Sequence, residues 1–392
     1  MSESATIALS DRVKALRSCG AAVLDLSGGD PDFDTADHIT AAAVAAMQAG
    51  FTHYTASRGL PELLQAISLK LRRDNGIDVD PATQIVVTPS SKHALFSSLM
   101  AILDPGDELL IPTPSWVSYQ AMARLAGAVA VPVELRPEDG FAIDYAGLSK
   151  HLTSRTKALV VNTPNNPTGH VLSHSEAEQI SRFAAEHELL IVTDEIYEKI
   201  VHGDSKHLSL AARPDCAERT LTVNGFSKAY AMPGWRLGYV AGPADLIQAI
   251  LAVSQHTVAC AGSFVQAGGT AALTGPETSI SMMAAEYSAR ADLVVRALNG
   301  LPGVTCHSPS GSFYAFADIR GTGVADSVTF AEMLLSEAAV ALTPGSAFGP
   351  GGEGHVRLSL TASRPELEEA LTRIAGFLAD HSQFPPRSQE LS

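Results

Sequence analysis

This chain is predicted to adopt an α/β fold: a large domain of mostly parallel sheet flanked by helices, with a smaller α+β domain formed by both chain ends. Three observations predict it. Short apolar, β-branched runs alternate with longer amphipathic segments through the middle of the chain, as βαβ units with a sheet covered on both faces require. Both ends break that alternation. Finally, polar residues with chemical potential fall just after the apolar runs, where doubly wound sheets bind ligands.

Ile85 to Thr88 reads as the first strand and Lys92 to Leu103 as a helix behind it. Leu109 to Ile111, Ala158 to Val161 and Leu189 to Thr193 follow as strands. Ser175 to His187 has a helical rhythm, with Ser173 or Ser175 as its N-cap. Leu221 to Val223 and Leu237 to Val240 complete the series. The first thirty-odd residues place Ala and Leu at helical spacing and end in the loop signal Gly28-Gly29-Asp30-Pro31. Near the other end come a helix from Met282 to Leu298 and hairpin-like strands at Phe313 to Ala317 and Val356 to Leu360. A closing helix is expected from Pro365 to Leu378, and a loose polar tail from Phe384 to Ser392. The expected division is residues 1–35 with 281–392 as the small domain, and 36–280 as the large one.

Composition narrows the function. A chain of 392 residues, 46% hydrophobic and 18% charged, suits a globular enzyme with a sizeable core. A net charge of −15 without a Lys/Arg cluster argues against nucleic acid or an anionic membrane as partner. Cys19, Cys216, Cys260 and Cys306 are scattered, with no zinc-like spacing, so no metal is expected. Without a disulfide framework or signal peptide, a cytoplasmic location is expected.

The most specific pattern is Gly225-Phe226-Ser227-Lys228 followed by Gly234-Trp235-Arg236-Leu237-Gly238. A Lys at the end of a buried strand is costly unless its amine has a purpose. The plain alternative, a solvated Lys on a loop, would prevail for the Ser-Lys pair alone. The longer pattern suits a cofactor bearing an aldehyde and a phosphate: Lys228 for a Schiff base, Ser227 and Arg236 for the phosphate. Ser90, Ser91 and Lys92 stand at a strand-to-helix junction, where backbone N–H groups favour phosphate.

Taken together, these blocks resemble the class I/II aminotransferases of pyridoxal phosphate (PLP) fold type I, and are similar to the bacterial aspartate and aromatic aminotransferase subgroup. The likeness rests on Gly29-Asp30-Pro31-Asp32-Phe33, His53-Tyr54-Thr55, Asp104-Pro105-Gly106-Asp107, Trp116-Val117-Ser118-Tyr119, Asn165-Asn166-Pro167-Thr168-Gly169, Asp194-Glu195-Ile196-Tyr197, the Lys228 block and His355-Val356-Arg357-Leu358-Ser359. They run in family order over nearly the whole chain.

The resemblance implies that Asp194 keeps the pyridine nitrogen protonated, against the simpler reading of a helix N-cap. It implies that Tyr197 and Asn166 bond the ring's phenolic oxygen, although Asn-Pro-Thr-Gly is also a good turn. Trp116 would stack on the ring, where a core aromatic is the alternative. Ser90 and Ser91 depart from many relatives, which carry glycine there. Arg357 is the candidate for the substrate α-carboxylate, and Gly29 would let backbone approach that group. Tyr54 would reach the phosphate of a neighbouring subunit, making a homodimer with shared sites.

The implied activity is ping-pong transamination between an L-amino acid and a 2-oxo acid, through a Lys228 aldimine and a pyridoxamine phosphate form. The alternative is another reaction on the same cofactor: a β-lyase, decarboxylase or oxidase. A ligand-sensing regulator on this fold would need a DNA-binding region, and no basic stretch suggests one. Ser254 to Cys260, expected from the partner subunit, holds no Arg or Lys for a distal substrate carboxylate, leaving Lys92 and His256 as candidates.

Overall fold

A computed structural model describes residues 5–381. Seven strands form the large sheet: Ile85–Thr88 (β1), Glu108–Thr113 (β2), Val129–Glu134 (β3), Thr156–Asn162 (β4), Leu190–Asp194 (β5), Thr220–Gly225 (β6) and Gly238–Ala241 (β7). Their order is β1-β7-β6-β5-β4-β2-β3. Every pairing is parallel except those of β7, which runs antiparallel to both β1 and β6. β1, β2, β6 and β7 are buried along their whole length, which explains their near-continuous apolar runs.

The strands read from the sequence lie within one or two residues of their observed limits, but β3 escaped that reading. It is an edge strand, half exposed, with Pro132 inside it. Edge positions tolerate proline because one side of the strand needs no ladder partner, and the proline hides the strand signal. The helix behind β4 is His174–Glu186, and Ser173 is its N-cap in a capping box with Glu176.

A second sheet holds Thr305–Cys306 (β8), Tyr314–Asp318 (β9), Thr343–Pro344 (β10) and His355–Ser359 (β11), ordered β10-β11-β9-β8 and antiparallel. Helices Thr278–Leu298, Ser327–Ala338 and Arg364–Asp380 supply Tyr287, Val294, Phe330, Leu334, Leu367 and Ile374 to its core. The first helix, Ala5–Ser18, packs Val13 against Leu335 and Ala341. Leu24–Asp25 then pairs with Val340–Ala341. The chain's beginning is thus built into its C-terminal part, and residues 26–36 cross to the large sheet. Ser4 and the Phe384 to Ser392 tail lie outside the described residues.

Candidate active site

Polar groups converge where the parallel strands end. The β4/β5 register sets Asn162 beside Asp194, and β6 places Val223 beside Asp194. β6 then runs into the loop carrying Ser227 and Lys228. From the other side come the Ser27–Asp30 segment and Arg357 on β11. The open cleft between them measures about 820 Å³. Gly29, Ser90, Ser91, Lys92, Trp116 and Asn166 line it, as do Asp194, Tyr197, Ser227, Lys228, Arg236 and Arg357. Every site residue expected from the sequence is therefore brought together, except Tyr54 and the distal-carboxylate candidate His256, which is exposed and does not line the cavity. Tyr54 is 92% exposed and does not line its own chain's cavity.

Asp194 is buried, and its Oδ2 accepts from the Tyr119 hydroxyl at 2.7 Å. Its Oδ1 accepts from the Ile196 N–H at 3.3 Å, closing a local turn rather than capping a helix. Burial pushes its pKa up to about 6, against the pull of the Tyr119 and Ile196 donors. It forms no ion pair among the described residues, so a cation beside it would recover the desolvation cost.

Lys228 shows the converse effect. Burial is the main cause of a pKa lowered to about 8; Asp30 opposes it, and Arg357 and Arg236 add to it. The amine donates to the Gly29 carbonyl. A partly buried Lys whose pKa is lowered toward neutrality is equipped both as a nucleophile and as a proton carrier.

Arg357 is 3% exposed, yet no carboxylate faces it among the described residues. Its Nη1 donates to Asn166 Oδ1 at 3.0 Å, and its Nη2 to the Ser27 carbonyl at 2.6 Å and Thr343 Oγ1 at 3.3 Å. Its Nε is buried without a hydrogen-bond partner among the described residues. Neutral oxygens orient this guanidinium, but its charge awaits an anion. The Tyr314 ring lies 4.2 Å from it, and the Tyr314 and Tyr197 hydroxyls are 3.2 Å apart.

Asn166 combines both readings of its motif. Asn165 closes a turn through its carbonyl and side chain to Gly169 and Thr168, and Gly169 has φ +72°. The Asn166 N–H donates to Asn162 Oδ1 at 2.8 Å, while Asn162 Nδ2 donates to the Asp194 carbonyl at 2.9 Å. The turn therefore hangs from β5 and holds the Asn166 side chain against Arg357.

Opposite this, the helix Ser91–Ile102 points its N-terminus at the cavity. A Cβ at Gly238 on β7 would collide with the Ser91 nitrogen, so glycine there lets the helix start press onto the sheet. Ser90 has φ +106°, a conformation that glycine adopts without penalty and that strains a serine. The helix's first N–H groups have no intrahelical acceptor, and with Ser91, Ser227 and Arg236 they form a donor set suited to phosphate. Arg236 donates to the Pro233 carbonyl at 2.8 Å. Lys92 holds its ammonium 4.8 Å from the Trp116 ring centroid, with no carboxylate partner among the described residues. Burial and the neighbouring Arg236 lower its pKa.

Sequence reasoning assigned no role to Tyr119, Tyr314, Asn162 or Ser27. Tyr119 lies three residues after Trp116, at the start of the helix Ser118–Leu125, and their rings meet edge-on at 5.4 Å. The carbonyl of Ser27 leaves no signature at all. Lys14 and Arg17 of the first helix also reach the cavity mouth, bringing cations that the sequence reading did not place there.

Comparison with known proteins bears directly on this arrangement. The family described as aminotransferase class I and II matches residues 21–374. The chain belongs to that family. It is 47% identical over 378 residues to an aspartate aminotransferase of Musicola paradisiaca, covering 96% of this chain and 94% of the relative. It is 40% identical to aromatic-amino-acid aminotransferase 2 of Thermococcus litoralis, over 91% of this chain and 92% of the relative. Among solved structures, the Thermus thermophilus aspartate aminotransferase with maleate superposes with a TM-score of 0.92 at 42% identity, covering 96% of this chain and 97% of that one.

The family member described here is thus a transaminase, acting between amino acids and 2-oxo acids with PLP-dependent chemistry; the lyase, decarboxylase and oxidase alternative is not favoured. The donor set fits that cofactor: a neutralisable amine for an aldehyde, a buried carboxylate lacking a cation, and a helix N-terminus with hydroxyl and guanidinium donors for a phosphate. No helix among the described residues is long and apolar enough to cross a membrane.

Proposed function

We propose that this cavity holds PLP and transaminates an acidic L-amino acid, with Lys228 as the reactive amine. The observation that carries the reading is a pair of cations without anions: buried Arg357, and Lys92 above Trp116. An amino acid with carboxylates at both ends would neutralise both. The relatives named as aspartate aminotransferases are consistent with such a substrate.

Bound PLP supplies an electron sink for the bonds at the substrate Cα. Arg357 grips the α-carboxylate, with Asn166 and the Ser27 carbonyl fixing the guanidinium plane. Gly29 allows the backbone close to the same group; a Cβ there would stand 2.8 Å from the Tyr314 hydroxyl. Lys228, its pKa lowered, would accept the substrate Cα proton on Nζ as a general base and hold it there as a general acid for the carbon of the cofactor. Asp194, oriented by Tyr119, would hold the ring nitrogen in its protonated form. Tyr197 would serve the ring's phenolic oxygen, and Trp116 would cover the ring face. Ser227, Arg236 and the N–H groups of Ser91 and Lys92 take the phosphate, while the Lys92 side chain faces the distal carboxylate. Tyr54, fully exposed in one chain, is assigned to the phosphate of a second subunit in a homodimer.

The test is a half-reaction screen of amino acids with purified holoenzyme and no oxo acid. Aspartate and glutamate should convert the cofactor and release stoichiometric 2-oxo acid, and Lys92→Ala should penalise them about tenfold or more relative to aromatic amino acids. Ammonia or CO₂ release would overturn the transamination assignment. An unchanged acidic-to-aromatic ratio in Lys92→Ala would overturn the role of Lys92.

A further inference from the structure

Outside the cavity, Arg290 on the helix Thr278–Leu298 is a cation only 5% exposed. Its contacts are unusual in where they lead. Nη1 donates to Asp32 Oδ1 at 2.9 Å and Oδ2 at 2.8 Å, and also to the Leu360 carbonyl at 2.9 Å. Nε donates to Glu286 Oε1 at 2.9 Å, and Glu286 is shared with Arg364. Phe33 and Tyr287 flank the guanidinium, each ring centroid 5.5 Å away, and the Tyr287 hydroxyl donates to Asp32 Oδ1 at 3.1 Å.

Asp32 lies three residues after Gly29 in the segment crossing between the two sheets. Leu360 lies three residues after Arg357, just beyond β11. One buried guanidinium therefore ties together the two stretches that carry Gly29 and Arg357. The same stretches are joined further along by the Ser359 N–H to the Leu26 carbonyl at 2.7 Å, and by Arg357 to the Ser27 carbonyl. Between these anchors stand Gly28 and Gly29, two residues with the greatest backbone freedom to lose. Fixing both ends of that span limits the freedom it has before substrate arrives, so less ordering is charged against binding.

We propose that Arg290, through Asp32 and the Leu360 carbonyl, is a positioning residue that presets the α-carboxylate site for binding. The inference rests on the assignment of the α-carboxylate to Gly29 and Arg357. Arg290 touches neither cofactor nor substrate; it acts by holding what does. A Lys at this place keeps the charge but cannot fork between Asp32, Glu286 and Leu360.

The experiment measures maleate, an unreactive dicarboxylate, binding to holoenzyme by calorimetry, together with amide hydrogen exchange over residues 27–34 and thermal stability. The variants are Arg357→Ala, Arg290→Lys, Asp32→Ala and Glu286→Gln. Arg357→Ala tests the underlying assignment: unchanged maleate affinity there would remove the α-carboxylate site and this inference with it. Given weakened binding in Arg357→Ala, Arg290→Lys and Asp32→Ala should each raise the maleate Kd about tenfold or more. Both should speed exchange over residues 27–34 and leave cofactor affinity within about twofold. Glu286→Gln touches Arg290 but neither stretch, so it should lower the melting temperature while the maleate Kd stays within about twofold. Should Arg290→Lys be too unstable to purify, Asp32→Ala asks the same question from the other partner. Maleate affinity and exchange unchanged in Asp32→Ala, or a Kd that simply follows melting temperature in all three, Glu286→Gln included, would overturn the proposal.

Discussion

Asp194→Asn separates the electrostatic function of this carboxylate from its place in the packing. With its pKa raised from 3.8 to about 6 by burial, ionised Asp194 is destabilised by about 3 kcal/mol, at 1.36 kcal/mol per pKa unit. A cation on the ring nitrogen recovers that energy, and the amide can neither incur it nor recover it. The chemical step in the Asp194→Asn holoenzyme should therefore slow by about a hundredfold, the rate equivalent of that free energy. Cofactor affinity should fall less, because the phosphate donors are untouched. The assay is a single-turnover half-reaction with saturating amino acid, alongside titration of the apoprotein with PLP. A turnover within about twofold of the parent would refute the role of Asp194.

The apoprotein gives an independent check through its stability. A raised folded-state pKa means that the folded protein holds its proton more tightly than the unfolded chain, so stability is full below pH 3.8 and declines as pH rises through about 6. At pH 8 the Asp194→Asn apoprotein should be more stable than the parent by up to about 3 kcal/mol, less what the amide loses by turning its NH₂ toward Tyr119 or Ile196. The two curves should converge at low pH. A parent apoprotein more stable than the variant at pH 8 would mean that Asp194 is not destabilised by burial.

Two further outcomes follow from the same geometry. PLP uptake by apoprotein should accelerate with pH around a midpoint of about 8, as Lys228 loses its proton and becomes nucleophilic, and a rate flat from pH 6 to 9 would contradict that environment. Tyr54→Phe should weaken PLP by roughly 1–3 kcal/mol, the worth of one charge-assisted donor. In hybrids of Tyr54→Phe and Lys228→Ala subunits, at a PLP concentration that leaves the Tyr54→Phe homodimer mostly empty, about half the parent activity should return. No recovery would place Tyr54 within its own chain's site and remove the argument for shared sites.

The legibility of this protein divides along physical lines. The α/β class, the buried parallel strands of the large sheet and the candidacy of Lys228, Asp194, Asn166, Arg236 and Arg357 were available from the chain alone. The reason is local: buried strands need continuous apolar runs, and Asp194 and Lys228 fall where two of those runs stop, while Arg357 stands out as a lone cation inside one. The Ser173 cap was equally visible, because a capping box spans only four residues. β3 was not, since an edge strand has half its surface in water and tolerates Pro132.

Other features belonged to the tertiary structure. That Tyr119 supports Asp194 depends on two strands and a helix meeting, and that Asn166 turns toward Arg357 depends on Asn162 holding the turn. Which charges lack partners is likewise invisible in one dimension, because a Lys or Arg looks the same whether water or a carboxylate surrounds it. Arg290 makes the point most sharply. Its partners Asp32 and Leu360 lie 258 and 70 residues away, and only folding gives one guanidinium two distant stretches to hold. Local sequence determined which groups are present and roughly where; burial and long-range contact decided which of them are poised to act.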